Sequence, residues 1–192
     1  MRNTVWVALA VIWVSWILLW VIWAIGNKPP SRRESLLQNA AHMVPLLLAC
    51  LLLAAPKIPF ALLCGAFLPD ALRGPAQWLG VALTVAGLLL TIWSRRILGV
   101  NWSGEVAIKP DHQLIERGPY ALVRHPIYTG LLLAMLGSGL AWGEWRGLVA
   151  PLIGFASFWW KLRQEEIWLS QHFGARYHGY KSRTRALIPF LI

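Results

Sequence analysis

Apolar residues run without a charge from Val5 to Ile25, a stretch of 21 residues. At a rise of ~1.5 Å per residue, a helix of that length reaches across a ~30 Å hydrocarbon layer. A cleaved signal segment has a shorter apolar centre and small residues at its end. Trp23-Ala24-Ile25-Gly26 matches that poorly, so a retained first span is expected. A second apolar run, Leu36 to Ala55, carries Gln38, Asn39 and His42 near its start and Pro45 inside it. Proline in a membrane helix is tolerated where neighbours satisfy the freed carbonyl, and a kink is expected there. Pro56 to Pro75 reads as a proline-rich connection with an apolar centre, Phe60 to Leu68, lying along the membrane surface. The third span is Ala76 to Trp93, closed by Ser94-Arg95-Arg96. Two shorter runs follow, from Pro126 to Trp142 and from Leu148 to Trp160, joined by a turn at 143–147. Their length predicts a tilted, re-entrant-like helical hairpin, with Gly130, Gly137 and Gly139 allowing close approach. The remainder, Lys161 to Ile192, reads as a basic amphipathic cytoplasmic helix ended by an apolar segment. The pattern as a whole predicts an all-α integral membrane protein with about five transmembrane helices, built as one domain over residues 1–192.

Composition agrees: 57% of residues are hydrophobic and only 14% charged, which excludes an ordinary soluble domain. The net charge of +10 changes the picture through its placement. Five passes assign Lys28, Arg32, Arg33, Arg95, Arg96, Lys109, Arg117, Arg124 and the tail cations to one side, leaving only Arg2, Lys57, Arg73 and Arg146 on the other. The positive-inside rule then puts the N-terminus outside and the C-terminus in the cytoplasm. The charge is thus accounted for by topology, and a nucleic-acid partner is not expected. Cys50 and Cys64 lie in apolar surroundings without metal-ligand spacing, so neither a disulfide nor a metal site is expected.

Candidate chemistry gathers in His112 to Gly130, the one long segment that is neither span nor basic tail. Arg124-His125-Pro126 opens a helix. Pro126 at its first position and Arg124 at a cytoplasmic boundary are adequate structural explanations for both. The N–H groups of such a terminus also suit a carboxylate, and the rings of Tyr120 and Tyr128 suit an adenine or a sulfonium cation. Glu165-Glu166 stands one turn beyond the fifth apolar run, on what would be the opposite wall of a pocket. An isolated acidic pair is ordinarily solvated. Here it takes two of only eight acidic residues and lies where cations are expected. Adjacent helical residues diverge by ~100°, so at most one of the two faces a given pocket. A carboxylate suits the paired hydroxyls of a ribose. No glycine-rich phosphate loop follows a strand, which excludes a Rossmann-type enzyme.

Taken in order, these motifs resemble a known pattern: His112-x-Leu114, Gly118-x-Tyr120, Arg124-His125-Pro126-x-Tyr128-x-Gly130, Glu165-Glu166-x-x-Leu169, Phe173-Gly174-x-x-Tyr177-x-x-Tyr180 and Leu187-Ile188-Pro189. The chain is similar, from about Asn101 to its end, to the isoprenylcysteine carboxyl methyltransferases, prokaryotic members included, and in part to the related phospholipid N-methyltransferases. The resemblance implies a membrane enzyme that uses S-adenosylmethionine, releases S-adenosylhomocysteine, and sits in a prokaryotic inner membrane. It implies cofactor contacts from His112, Gln113, Leu114, Ile115, Tyr120, His125, Pro126, Ile127, Tyr128 and Glu165. Four residues before that glutamate the family carries an arginine linked to the substrate carboxylate; here the position is Lys161, with Arg163 a half-turn on. Residues 1–100 would be a three-span scaffold and 101–192 the cofactor-binding part. The partners expected are membrane lipids and a lipidic acceptor entering from the bilayer, most simply one methylated on a carboxylate. An N- or S-methyltransferase acting on a headgroup amine or small thiol is the alternative within the same fold. A non-enzymatic transport or structural subunit is the alternative outside it, and spans without acidic residues disfavour that.

Overall fold

The computed structural model describes residues 2–25, 32–54, 61–108 and 113–191. Three helices are long and apolar enough to cross a membrane. They are α1 (Arg2–Ala24), α2 (Leu36–Ala54) and α3 (Asp70–Leu98). Two more follow as a pair, α4 (Pro126–Trp142) and α5 (Arg146–Phe173), and a short α6 (Ala175–Arg183) closes the chain. Helix is the rule because the apolar runs have no partner strand, and in lipid a helix satisfies its own backbone. The exceptions are β1 (Arg32–Arg33) and β2 (Ala107–Ile108), a two-residue antiparallel pair.

The boundaries differ most from the sequence reading in two places. The third helix starts at Asp70 and takes in Pro75, so the connection before it is shorter than expected. The fifth apolar run does not stop at Trp160. It continues as one 28-residue helix through Lys161 and the Glu165-Glu166 pair to Phe173, so the segment expected as an amphipathic tail is divided. Nothing at 161–173 breaks a helix, and Gly174, with φ +53°, supplies the stop.

Two packings hold the bundle. On one side α3 lies along α4, where a β-carbon added at Gly80 would stand 2.5 Å from the Gly137 carbonyl and one at Gly87 would collide with the Gly130 carbonyl. Missing side chains let the backbones touch, which is how membrane helices associate without a hydrophobic driving force. On the other side α2 packs on α5 around Ala49, Leu52, Ala150 and Phe158. The first helix is tethered through its tryptophans: the Trp13 indole donates to Ser138 Oγ at 3.0 Å and the Trp16 indole to Thr91 Oγ1 at 2.7 Å. Arg95 adds a bond to the Trp23 carbonyl at 3.0 Å. These contacts leave a hollow where α1, α2, α4 and α5 converge below segment 102–108.

Candidate functional site

That hollow is a cavity of about 450 Å³, an ordinary size for a small-molecule site. Its apolar lining comes from Trp16 and Trp20 of α1, Met43 and Leu46 of α2, Ile127 and Leu131 of α4, and Phe158 of α5. Its polar lining comes from Tyr120, Arg124, His125, Tyr128, Lys161 and Glu165, together with Asn101, Ser103 and Glu105 of the roof.

One wall is an aromatic stack. The rings of His125 and Tyr128 lie 5.5 Å apart and nearly parallel, and Tyr128 stacks in turn on Phe158 at 4.9 Å. The Tyr128 hydroxyl donates to Glu165 Oε1 at 2.6 Å, and His125 Nδ1 stands 3.4 Å from Glu165 Oε2. The neighbouring carboxylate goes elsewhere, as the ~100° step requires. Glu166 is buried and accepts from Arg124 Nε at 2.7 Å, with Lys181 Nζ also at 2.7 Å. His125 Nε2 lies 3.4 Å from Glu166 Oε1 without the alignment of a hydrogen bond. The imidazole is therefore sandwiched between two carboxylates, one facing the cavity and one facing away.

The titration behaviour follows. Burial alone pushes the Glu166 carboxyl up, but His125, Lys181 and Arg124 together outweigh it and hold it far below the usual carboxylate range. Burial also pushes Glu165 up; the His125 bond, the Lys161 charge and the Tyr128 hydroxyl turn the net shift downward. For His125 burial pulls the ring down, and the two carboxylates more than reverse that, raising it above the ordinary imidazole value.

The last residues form a strap across this wall. Arg124 N and His125 N donate to the Arg185 and Ala186 carbonyls at 2.8 and 3.0 Å, and Thr129 Oγ1 donates to the Leu187 carbonyl at 2.7 Å. The Arg124 guanidinium reaches the Thr184 carbonyl, and the Tyr180 hydroxyl donates to the Tyr120 carbonyl at 2.6 Å. The amides of Arg124 and His125, just before α4, are thus taken by the tail.

Lys161 is buried, with its ammonium donating to the Gly104 carbonyl and lying 5.8 Å from the Tyr128 ring centre. Among the described residues no carboxylate oxygen stands within ion-pair distance of it.

Of the residues singled out from the sequence, Tyr120, His125, Ile127, Tyr128, Lys161 and Glu165 come together on the cavity wall. Pro126 is fully buried at the start of α4. Gln113 donates its N–H to Asn101 Oδ1 at 3.0 Å, beside the lining, whereas Gln113, Leu114 and Ile115 are not themselves lining residues. Arg163 is exposed and lies over the Trp159 ring, away from the cavity. His112 falls outside the described residues. Sequence reasoning missed the walls given by Trp16, Trp20, Met43 and Leu46, and the roof beyond Asn101-Trp102-Ser103. The spacing of Trp16 and Trp20, one helical turn apart, was the available signal.

Comparison with known proteins matches residues 75–176, just over half of the chain, to the model of the family described as phospholipid methyltransferase. The chain is 33% identical over 96 residues to the protein-S-isoprenylcysteine O-methyltransferase of Schizosaccharomyces pombe, covering 48% of this chain and 41% of that protein. It is 26% identical over 118 residues to a probable protein-S-isoprenylcysteine O-methyltransferase of Oryza sativa subsp. indica, covering 60% and 62%. The rat protein-S-isoprenylcysteine O-methyltransferase is 33% identical over 119 residues, covering 57% and 42%. The matched stretches thus span between two fifths and two thirds of these relatives.

Proposed function

The chain belongs to the phospholipid methyltransferase family, and from that premise we propose an integral membrane methyltransferase that uses S-adenosylmethionine and esterifies the carboxylate of a lipidic, isoprenylcysteine-like acceptor. The observation that carries the acceptor class is Lys161, a buried ammonium on the cavity wall without a carboxylate partner among the described residues. Burying a charge is costly unless an opposite charge meets it, and a bound carboxylate meets it here. The names of the relatives point the same way.

The donor set fits the cofactor. Glu165 is a carboxylate for ribose hydroxyls, the flanking Tyr128 and His125 rings give flat faces, and the site has the volume for a small molecule. When bound, the cofactor supplies an electrophilic methyl on a sulfonium sulfur, which leaves as neutral thioether. The protein's task is then alignment and exclusion of water rather than proton transfer. Lys161 holds one acceptor oxygen, the aromatic stack fixes the plane of approach, and the strap at 184–187 keeps His125 and Tyr128 in place behind Glu165. The apolar residues of α1 and α2 on the same cavity support entry of the acceptor's tail from the bilayer, and the cofactor would come from the cytoplasmic face. The topology that goes with this has five passes, with the C-terminus inside.

Calorimetry of S-adenosylhomocysteine in detergent tests the cofactor half. Wild type is expected to bind and Glu165→Ala to lose at least tenfold in affinity; folded wild type that binds nothing would sink the enzyme reading. Lys161→Met tests the acceptor half. Loss of a charged hydrogen bond, worth about 1.5–3 kcal/mol, is expected to lower kcat/KM for the acceptor about 10- to 100-fold with cofactor affinity unchanged. A second reading, transfer to a headgroup amine, is favoured by Glu105 and by Trp20 and Trp102 on the same cavity, groups that suit a cation. Turnover of an ethanolamine phospholipid that survives Lys161→Met would select it.

A further inference from the structure

Glu34 takes no part in the site described above, yet it is more deeply buried than either carboxylate of the Glu165-Glu166 pair. Its side chain is 2% exposed and that of His42 beside it 1%. The carboxylate accepts from His42 Nε2 at 3.1 Å, from Asn39 Nδ2 at 3.1 Å and from the Val106 N–H at 3.0 Å. The Glu34 N–H returns a bond to the Val106 carbonyl at 3.2 Å, next to the β1–β2 pair. A carboxylate removed from water this completely is expensive, and a well-packed apolar group in its place is often no worse for stability. What the expense secures is position. Val106 belongs to the 102–108 roof of the cavity, and the Gly104 carbonyl in that roof receives the Lys161 ammonium.

The other end of the cluster is anchored to the same helix as Lys161. Ser157 Oγ donates to the His42 carbonyl at 2.6 Å, and the His42 ring lies 5.7 Å from that of Trp160, the residue before Lys161. Glu34 therefore closes a loop of contacts running from α2 to the roof, from the roof to Lys161, and along α5 back to His42. Without its carboxylate the roof would lose the acceptor of the Val106 N–H, while keeping the Glu34 N–H bond to the Val106 carbonyl, the two-residue strand pair, the Arg33–Glu105 pair at 3.7 Å, the contacts of Trp102 with Trp20 and Arg95, and the Lys161 bond.

We propose that Glu34, oriented by His42, is a positioning residue of the transfer site, holding the 102–108 roof so that Lys161 presents its ammonium to the acceptor at a fixed depth. This rests on the methyl-transfer reading above. It separates from that reading because the roof can be followed without turnover.

The experiment uses the full chain in detergent with Glu34→Ala, Glu34→Asp and Glu34→Gln beside wild type. Three readouts are taken: amide exchange over 102–108, S-adenosylhomocysteine affinity, and turnover of N-acetyl-S-farnesylcysteine. Glutamine keeps an acceptor oxygen at the same reach and should stay close to wild type in all three. Aspartate is one methylene short, and alanine has no acceptor. Both should speed exchange in the roof about tenfold or more and lower kcat about 10- to 100-fold, the scale of a misplacement near 1 Å. Cofactor affinity should stay within about twofold, because His125, Tyr128 and Glu165 are held by other contacts. Aspartate carries the comparison if the alanine variant does not fold. Unchanged exchange in the roof, unchanged kcat, or cofactor affinity falling in step with kcat would each overturn the proposal. Wild type that neither binds S-adenosylhomocysteine nor methylates the probe would overturn the methyl-transfer reading and this role with it.

Discussion

Two adjacent glutamates divide the work at this site. Glu165 faces the cavity and is half-buried, whereas Glu166 joins α5 to Arg124 and to Lys181 of α6. Their substitutions should separate cleanly. Glu166→Gln leaves the buried Arg124 short of its anion, and breaking such a pair costs about 3–5 kcal/mol. A fall of several degrees in melting temperature in detergent is the expected result. Glu165→Gln keeps an acceptor for the Tyr128 hydroxyl, so it should lower the melting temperature less than Glu166→Gln does and act mainly on cofactor affinity. The pH dependence has two sides. Glu166 is held below its ordinary value, so its stabilisation is complete above the unfolded carboxylate range and is lost as pH falls through the depressed folded value. His125 is raised, so its contribution is complete below the ordinary value of ~6.5 and is lost as pH rises through the higher folded value. Melting curves across pH should show an alkaline decline in wild type that His125→Gln lacks. The ring's carboxylate neighbours, Glu165 and Glu166, stay ionised throughout that range, and a decline of equal size in the variant would rule out His125 as its source.

At the scale of elements, the α3–α4 contact fixes the position of α4, which brings Ile127, Tyr128 and Leu131 to the cavity. The contact is made backbone to backbone at Gly87 and Gly130. Gly87→Val has no flexible side chain to push aside, so it should destabilise by at least the 1–3 kcal/mol typical of overpacking, about the most a small bundle tolerates. Gly74→Ala, whose added carbon meets nothing within 4 Å, is the matched control and should melt as wild type does. Equal melting temperatures for the two variants would show that α3 and α4 separate freely to accommodate bulk.

For the whole molecule, the 28 residues of α5 extend ~42 Å and carry Glu165 and Glu166 in their last third. The spans and the charge imbalance then predict an external N-terminus and a cytoplasmic C-terminus. A fluorescent protein that matures only in the cytoplasm, fused after Ile192, should be bright, and the same protein fused before Met1 should be dark. The reverse pattern would invert the membrane orientation and place Glu165 on the wrong side for a nucleoside-derived cofactor.

Much of this could be read along the chain. Long charge-free runs must be helices in lipid, so α1, α2 and the centre of α3 were legible from hydropathy, and the ordered motifs from His112 to Pro189 were enough to identify the family. Gly130 and Gly137 stood out because small residues in an apolar run imply close helices. Position in space was not legible, because helix contacts are long-range and follow from how whole surfaces fit. That Glu166 turns to Arg124 and Lys181, that α1 and α2 line the cavity, and that the tail straps His125 are results of packing alone. Glu34 is the sharpest case. Beside Lys28, Arg32 and Arg33 it stands at the end of a basic stretch, and only the approach of Val106, 72 residues later in the chain, makes it a buried acceptor. Periodicity records which residues avoid water, whereas the partner of a buried charge is decided by the fold.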